Sequence, residues 1–222
     1  EYNITQLEDL KHIHIKGYIQ YLISLQRKET YVNGLIKSFR AFFKYCVEEE
    51  YIPTNPALKV AFQREETPMI LTFTDEEVIR IVNYYKGTKF LTVRNKLILI
   101  MLFDTGIRCT ELCNIKMEDL RENAISIYGK GKKPRYAPIT PAIDKWLMKY
   151  LTVRERYIKD KSGYKEDYLF LSQKGKPLTK STIEKLVKDC KEPCEVRKEI
   201  RCSPHTCRHY YAQKQLRNGC DV

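Results

Sequence analysis

The sequence predicts a mainly α-helical chain with one small antiparallel β-sheet, and three observations predict it. Apolar residues recur at helical spacing through most of the chain, and Ser-Pro, Thr-Pro and capping-box signals introduce new helices at several points. Alternation of period two is confined to a short stretch around one Gly/Lys/Pro-rich turn. At 222 residues there is room for one large or two small domains, and 43% hydrophobic against 31% charged residues is the balance of a globular protein rather than a disordered one.

The clearest helix of the N-terminal part runs from about Tyr31 to Glu48, with Leu35, Phe39, Phe42 and Cys46 on one stripe. The other stripe carries Asn33, Lys37, Arg40 and Lys44. It reads either as a solvated face or as a face along a DNA groove, with Arg40 or Asn33 reading base edges and the lysines holding phosphates. The turn-like Tyr51-Ile52-Pro53-Thr54-Asn55-Pro56 and the polar run Gln63-Arg64-Glu65-Glu66-Thr67-Pro68 then mark a boundary, giving a helical domain over 1–66 and a second over 67–222. The second opens on Thr74-Asp75-Glu76-Glu77, a capping box before Val78, Ile79, Ile81 and Val82. The apolar run Leu97 to Phe103 reads as a buried helix, with Gly106 as the turn into another. Ala124 to Tyr128 and Arg135 to Ile139 alternate around Gly129-Lys130-Gly131-Lys132-Lys133-Pro134, the signature of a hairpin. Thr140-Pro141 and Ser181-Thr182-Ile183-Glu184 start further helices, and Tyr168-Leu169-Phe170-Leu171 is the other strand-like run. In the last helix Ser203 caps and Pro204 takes the first helical position.

His205 and Arg208 stand three apart in that first turn, so they share a face where free backbone N–H groups and the helix dipole favour an anion. Arg108 and Glu111 share a face in the same way. A guanidinium offers phosphate a planar bidentate fork, and two of them can hold both non-bridging oxygens of a diester while a carboxylate orients them. Lys130 rides on the hairpin tip, and Lys132, Lys133 and Arg135 add positive charge for a DNA backbone. Taken singly, each residue has a plainer reading: Arg108 as the ion-pair partner of Glu111, His205 as a capping or core histidine, the lysine-rich turn as a solvated loop or an import tract. The turn lacks the Gly-Lys-Ser/Thr ending of a phosphate-binding P-loop. A net charge of +12 attracts polyanions in a salt-sensitive way, although such an excess also suits an ordinary soluble surface.

Three segments carry a resemblance in order: Thr105-Gly106-Ile107-Arg108-Cys109-Thr110-Glu111-Leu112, then Gly129-Lys130-Gly131, then His205-Thr206-Cys207-Arg208-His209. The chain resembles, over nearly its whole length, the tyrosine recombinase (phage integrase) family, whose pattern is T-G-x-R-x-x-E-L, G-K-G on a hairpin, and H-x-x-R-H. The resemblance implies a helical core-site-binding domain ahead of a mostly helical catalytic domain. It implies that Arg108 and Arg208 clamp the scissile phosphate, Lys130 protonates the leaving 5′ oxygen, His205 handles protons and Glu111 supports the cluster, with no metal or nucleotide cofactor. The implied activity is site-specific recombination of double-stranded DNA through a 3′-phosphotyrosyl intermediate, for integration or excision of a mobile element. A homotetramer on synapsed DNA, an accessory DNA-bending or directionality protein, and a cytoplasmic, nucleoid-associated setting in a bacterium or phage complete the expectation. The family's nucleophilic tyrosine follows an L-G-H-like segment well beyond H-x-x-R, so it is expected past Val222 and the chain by itself is expected to be inactive. Tyr210 and Tyr211 stand where the family carries packing residues. The alternative is a non-catalytic DNA-binding module or regulator that keeps the clamp, and a topoisomerase-like nicking-closing activity would use the same chemistry.

The longest apolar run falls far short of the roughly 20 residues of a membrane span, and Glu1 onward shows no signal segment. Eight cysteines include a group at Cys190, Cys194, Cys202 and Cys207 near His205 and His209, but without a C-x-x-C pair they read as free thiols rather than as zinc ligands or disulfides.

Overall fold

The structure, a computed structural model, describes residues 4–66, 70–129, 134–159 and 167–220. It is mainly helical with one two-stranded antiparallel sheet. Contacts along the chain divide it into two compact units, Glu1–Met69 and Ile70–Val222.

In the first unit, α1 (His12–Ser24) and α2 (Glu29–Glu48) enclose a small core with a 3₁₀ turn at Pro56–Lys59. Ile15, Ile19 and Leu22 meet Val32, Ile36, Phe43 and Cys46, and Ile52, Ala57 and Val60 close the cluster. The buried stripe of α2 is therefore rotated from the expected one: Cys46 is inside, Leu35 and Phe39 lie at the margin, and Phe42 is 52% exposed. Spacings of four, seven and three residues between Val32, Ile36, Phe43 and Cys46 suit a 3.6-residue period as well as the expected set does, so the returning segment at Pro56–Val60 decides which face is covered.

Asn33, expected to read a base edge, is engaged inside the first unit. Asn33 is only 4% exposed; its amide donates to the Gln63 carbonyl (2.8 Å) and to Glu65 Oε1 (2.6 Å), and its Oδ1 accepts from the Gln63 N–H (2.7 Å). Its side chain fixes the Gln63–Glu65 segment, which takes both amide hydrogens and one lone pair of Oδ1. Arg40 is likewise engaged, donating to the Val60 carbonyl (2.8 Å) and lying 4.3 Å from the Phe62 ring centre. Lys37 and Lys44 are exposed, Lys44 in a 3.4 Å pair with Glu48.

The second unit begins with α3 (Asp75–Tyr84), whose capping box forms as expected: Thr74 Oγ1 accepts from the Glu77 N–H (3.2 Å) and Glu77 Oε2 from the Thr74 N–H (2.8 Å). The apolar run becomes α4 (Phe90–Thr105), where Leu97 through Phe103 are all buried. A helix that is apolar all round is stable only when surrounded. Here α3, α6 (Pro141–Ile158) and α8 (Pro204–Arg217) pack against it. After α4 come the short α5 (Cys109–Cys113) and the hairpin of β1 (Ala124–Tyr128) and β2 (Pro134–Pro138), with Ile125 opposite Ala137 and Ile127 opposite Arg135. Helix α7 (Lys180–Lys188) is capped by Thr179, ahead of the expected start at Ser181.

The strand-like run at Tyr168–Leu171 makes only isolated bridges, to Lys116 and to Pro177. Its carbonyls are taken by side chains instead: Arg154 donates to Tyr168 (2.8 Å), Tyr150 to Leu169 (3.0 Å) and Arg94 to Leu171 (2.7 Å). Burial lowers the Arg94 pKa and pushes the Tyr150 phenol up to about 12. All the cysteines are free, and among the described residues no metal-ligating cluster and no helix long and apolar enough to cross a membrane is found.

Candidate functional site

The site is built where α4 stops. Gly106 ends the helix in the left-handed region at φ +55, and a Cβ there would overlap the Tyr211 ring, so glycine meets both the turn and the close approach. The reversal delivers Arg108 to the N-terminus of α5. One turn on, Glu111 is nearly buried, its side chain 4% exposed. Its Oε1 accepts from Arg108 Nη1 (2.8 Å), and its Oε2 accepts from the Arg108 backbone N–H (3.0 Å) and from Arg135 Nη2 (2.9 Å). Burial by itself would raise the Glu111 pKa; the Arg108 N–H and the two guanidiniums outweigh it and hold the carboxyl below its ordinary value.

Arg208 arrives from α8. Ser203 Oγ caps that helix at the Thr206 N–H (3.3 Å), Pro204 fills the first position, and Cys207 and Tyr210 anchor it in the core. Arg208 Nη1 donates to the Gly106 carbonyl, so the residue that turns the chain toward Arg108 also holds the second arginine. Burial, then the nearby Arg108 and Arg135 charges, lower the Arg208 pKa, yet a guanidinium keeps its charge at neutral pH. Three guanidiniums thus gather around one carboxylate, with positive charge in excess.

His205 is exposed on the first turn of α8, its Nε2 2.9 Å from His209 Nε2. Two ring nitrogens at that distance share one proton, and burial, His205 and Arg208 together lower the His209 pKa. Arg108, Arg208, His205, Lys180 and Arg201 border a cleft of about 400 Å³ in which Glu184 is the one carboxylate among the lining residues. Such a cleft attracts an anion and offers it donors from opposite walls.

The sequence-predicted residues Arg108, Glu111, His205 and Arg208 therefore meet. Lys130, Lys132 and Lys133 lie outside the described residues; Gly129, just before them, rests against Glu111, where a Cβ would stand 3.6 Å from Oε1. Arg135, expected as a contact to the DNA backbone, is a partner of Glu111. The signal was present in the alternation: Arg135 shares the face of Ala137, opposite Ile125 and Ile127, which is the buried face of the hairpin. The pairing of His209 with His205 follows from their four-residue spacing. No local pattern links Lys180 to the cleft, since the packing of α7 beside α8 brings it there, whereas Arg201, two residues before the Ser203 cap, arrives with α8.

Tyr210 of α8 is not placed for attack on an anion in the cleft. Tyr210 is buried, meets Phe103 edge-on at 5.7 Å and donates to Asp75 Oδ1 (2.6 Å), while Tyr211 covers Gly106. Burial and the Asp75 hydrogen bond raise the Tyr210 pKa further from the neutral range.

Residues 72–222 match the phage integrase family. Tyrosine recombinase XerC of Thermodesulfovibrio yellowstonii is 31% identical over 218 residues, which are 97% of this chain and 72% of that protein. Tyrosine recombinase XerD of Oceanobacillus iheyensis is 30% identical over 219 residues, again 97% and 72%. Among solved structures, XerA recombinase superimposes with a TM-score of 0.59 at 25% identity, covering 98% of this chain and 73% of that one. XerH site-specific recombinase bound to palindromic difH substrate in a post-cleavage complex shares the fold at a TM-score of 0.72 and 22% identity, over 97% of this chain and 65% of that one.

Proposed function

The chain belongs to the tyrosine recombinase (phage integrase) family, and from that premise we propose that it cuts and rejoins double-stranded DNA at specific sites through a 3′-phosphotyrosyl intermediate. The observation that carries this reading is the convergence of Arg108 and Arg208, from two helices far apart in sequence, on the wall of one cleft with Glu111 behind them. In this reading the two guanidiniums hold the non-bridging oxygens of the scissile phosphate and stabilise the charge that grows on them as the phosphorus becomes five-coordinate. His205, next to the cleft and sharing a proton with His209, handles the proton of the attacking phenol, and Lys130 protonates the leaving 5′ oxygen. The covalent link conserves the energy of the broken phosphodiester, so strand exchange needs no nucleotide. Lys37 and Lys44 in the first unit, with Lys132 and Lys133, supply backbone contacts to the duplex. Integration or excision of a mobile element by a homotetramer on two synapsed duplexes is the biological setting we assign.

The test is adduct formation by the full-length gene product on a nicked duplex that traps the covalent intermediate. An Arg208→Lys protein is expected to bind the site within a few-fold of wild type while its adduct yield falls by about 10²-fold or more, since lysine cannot reproduce the bidentate fork. Undiminished adduct would remove Arg208 from the clamp. The second reading is a DNA-binding module that keeps the clamp and does not cut. Site-specific binding by the full-length product with no adduct at any time point would establish that reading instead.

A further inference from the structure

We infer that His209 is a positioning residue for this reaction: its Nε2 accepts a hydrogen bond from His205 Nε2, which fixes the tautomer of His205 and leaves His205 Nδ1 as the base available in the cleft. The inference rests on the recombinase reading above and says what the proton shared by the two rings does.

Three observations carry it. The two histidines stand one turn apart on α8, their Nε2 atoms 2.9 Å from each other and their rings edge-to-face at 4.2 Å and 72°. At that separation one nitrogen must carry a proton and the other must lack it, so each ring dictates the tautomer of its neighbour. His205 Nε2 is thereby occupied, and among the described residues its Nδ1 has no protein partner. Finally, the two rings differ in setting. His205 is exposed and borders the cleft beside Arg108 and Arg208, whereas His209 is half-buried and is not among the lining residues.

Chemistry decides which ring donates. A neutral imidazole has one N–H and one lone pair, so if His209 accepts, His205 holds its proton on Nε2 and its lone pair on Nδ1. The reverse tautomer would add one more donor to a cleft already bordered by Arg108, Lys180, Arg201 and Arg208, and would leave it without a base. Burial, His205 and Arg208 all disfavour charge on His209, which suits it to the part of neutral acceptor. Once His205 has taken a proton, its Nε2–H becomes a charge-assisted donor, and the bond to His209 strengthens as the reaction proceeds. A carboxylate does the same for the histidine of a serine-hydrolase triad. In the step itself the phenolic oxygen–phosphorus bond forms as the phosphorus–O5′ bond breaks. The phenol proton passes to His205 Nδ1, and O5′ leaves with a proton from the general acid of the reading above. In rejoining, the 5′ hydroxyl attacks and the phenolic oxygen departs with the proton that His205 has kept, so the pair ends as it began.

The experiment pairs a spectrum with a rate, both on the full-length protein. With ¹⁵N-labelled histidine at about pH 8, above the ordinary histidine range, two-bond ¹H–¹⁵N correlations read which ring nitrogen of His205 holds the proton. Wild type is expected to show it on Nε2 with Nδ1 bare, and His209→Ala to show a mixture of both tautomers. On a trapping duplex, His209→Ala is expected to lower the single-turnover adduct rate by about 10- to 10²-fold and to change DNA Kd by less than about threefold. His209→Gln, whose amide oxygen can accept in place of Nε2, should restore the Nε2–H form and bring the rate back to within about threefold of wild type, with a thermal transition that shows it folded. Because His209 acts through His205, the double variant His205→Ala, His209→Ala is expected to be no slower than His205→Ala alone. A proton on His205 Nδ1 in wild type, an unchanged rate in His209→Ala, or additive losses in the double variant would each overturn the inference. Absence of adduct with wild type while the proton sits on Nε2 would overturn the recombinase reading instead, and with it the use to which the tautomer is put.

Discussion

Glu111 is where burial and charge compete most directly. Its side chain is 4% exposed and stays ionised because both oxygens are held by arginines. Glu77 is a second case: burial opposes ionisation there, and the Arg197 side chain and N–H with the Thr74 N–H outweigh it. A carboxyl whose folded pKa lies below its ordinary value binds fewer protons folded than unfolded. The stability it contributes is complete above that value, 4.5, and is lost as pH falls through the lower folded value. Urea midpoints should therefore decline below about pH 4.5. Glu111→Gln should make the decline shallower while costing about 1–2 kcal/mol at pH 7, less than a fully buried pair because Arg108 is 58% exposed. A decline as steep in the variant as in wild type would mean that Glu111 is not held in its ionised form. At this scale Arg108, Glu111, His205 and Arg208 were legible from three- and four-residue spacings and their order in the chain. The burial of Asn33 was not legible, because a polar residue on a helix reads as solvent-facing and only the return of Gln63 to its side chain puts it inside.

Among the elements, α4 depends on its neighbours more than any other. Its stretch Leu97–Phe103 has no polar face, and its stability comes from the helices that cover it. Leu99→Ala should cost about 2–5 kcal/mol, the range for deleting a large buried side chain, and lower Tm by about 2–4 °C for each kcal/mol. A loss below about 1 kcal/mol would show that the site collapses around the gap. That helix was legible because seven consecutive apolar residues allow little else, and the hairpin because its alternation brackets a turn. The covered face of α2 and the fate of Tyr168–Leu171 were not legible. Each is fixed by a segment distant in sequence, the first by Pro56–Val60 and the second by side chains of Arg94, Tyr150 and Arg154 that claim its carbonyls.

Across the whole molecule, a surplus of twelve positive charges sets how DNA is met. If six phosphates are neutralised, log Kd should rise with log salt at a slope of roughly 5, a loss of about 10³ in affinity between 50 and 200 mM. A slope near one, read by fluorescence anisotropy on a labelled duplex, would mean that the surplus is surface charge unrelated to binding. Composition had left that question open, and the motifs, not the charge, pointed to a nucleic acid. The hold of Gly106 on Arg208 spans 102 residues, and this has a consequence during synthesis. At about 5–20 residues per second a ribosome needs roughly 5–20 seconds to deliver Arg208 after Gly106 has appeared. Through that interval α4 has no α8 to cover it, and the clamp has only one jaw. A chain broken off early would present chaperones and proteases with bare apolar helix, and it would reach the chromosome without the means to hold a phosphate.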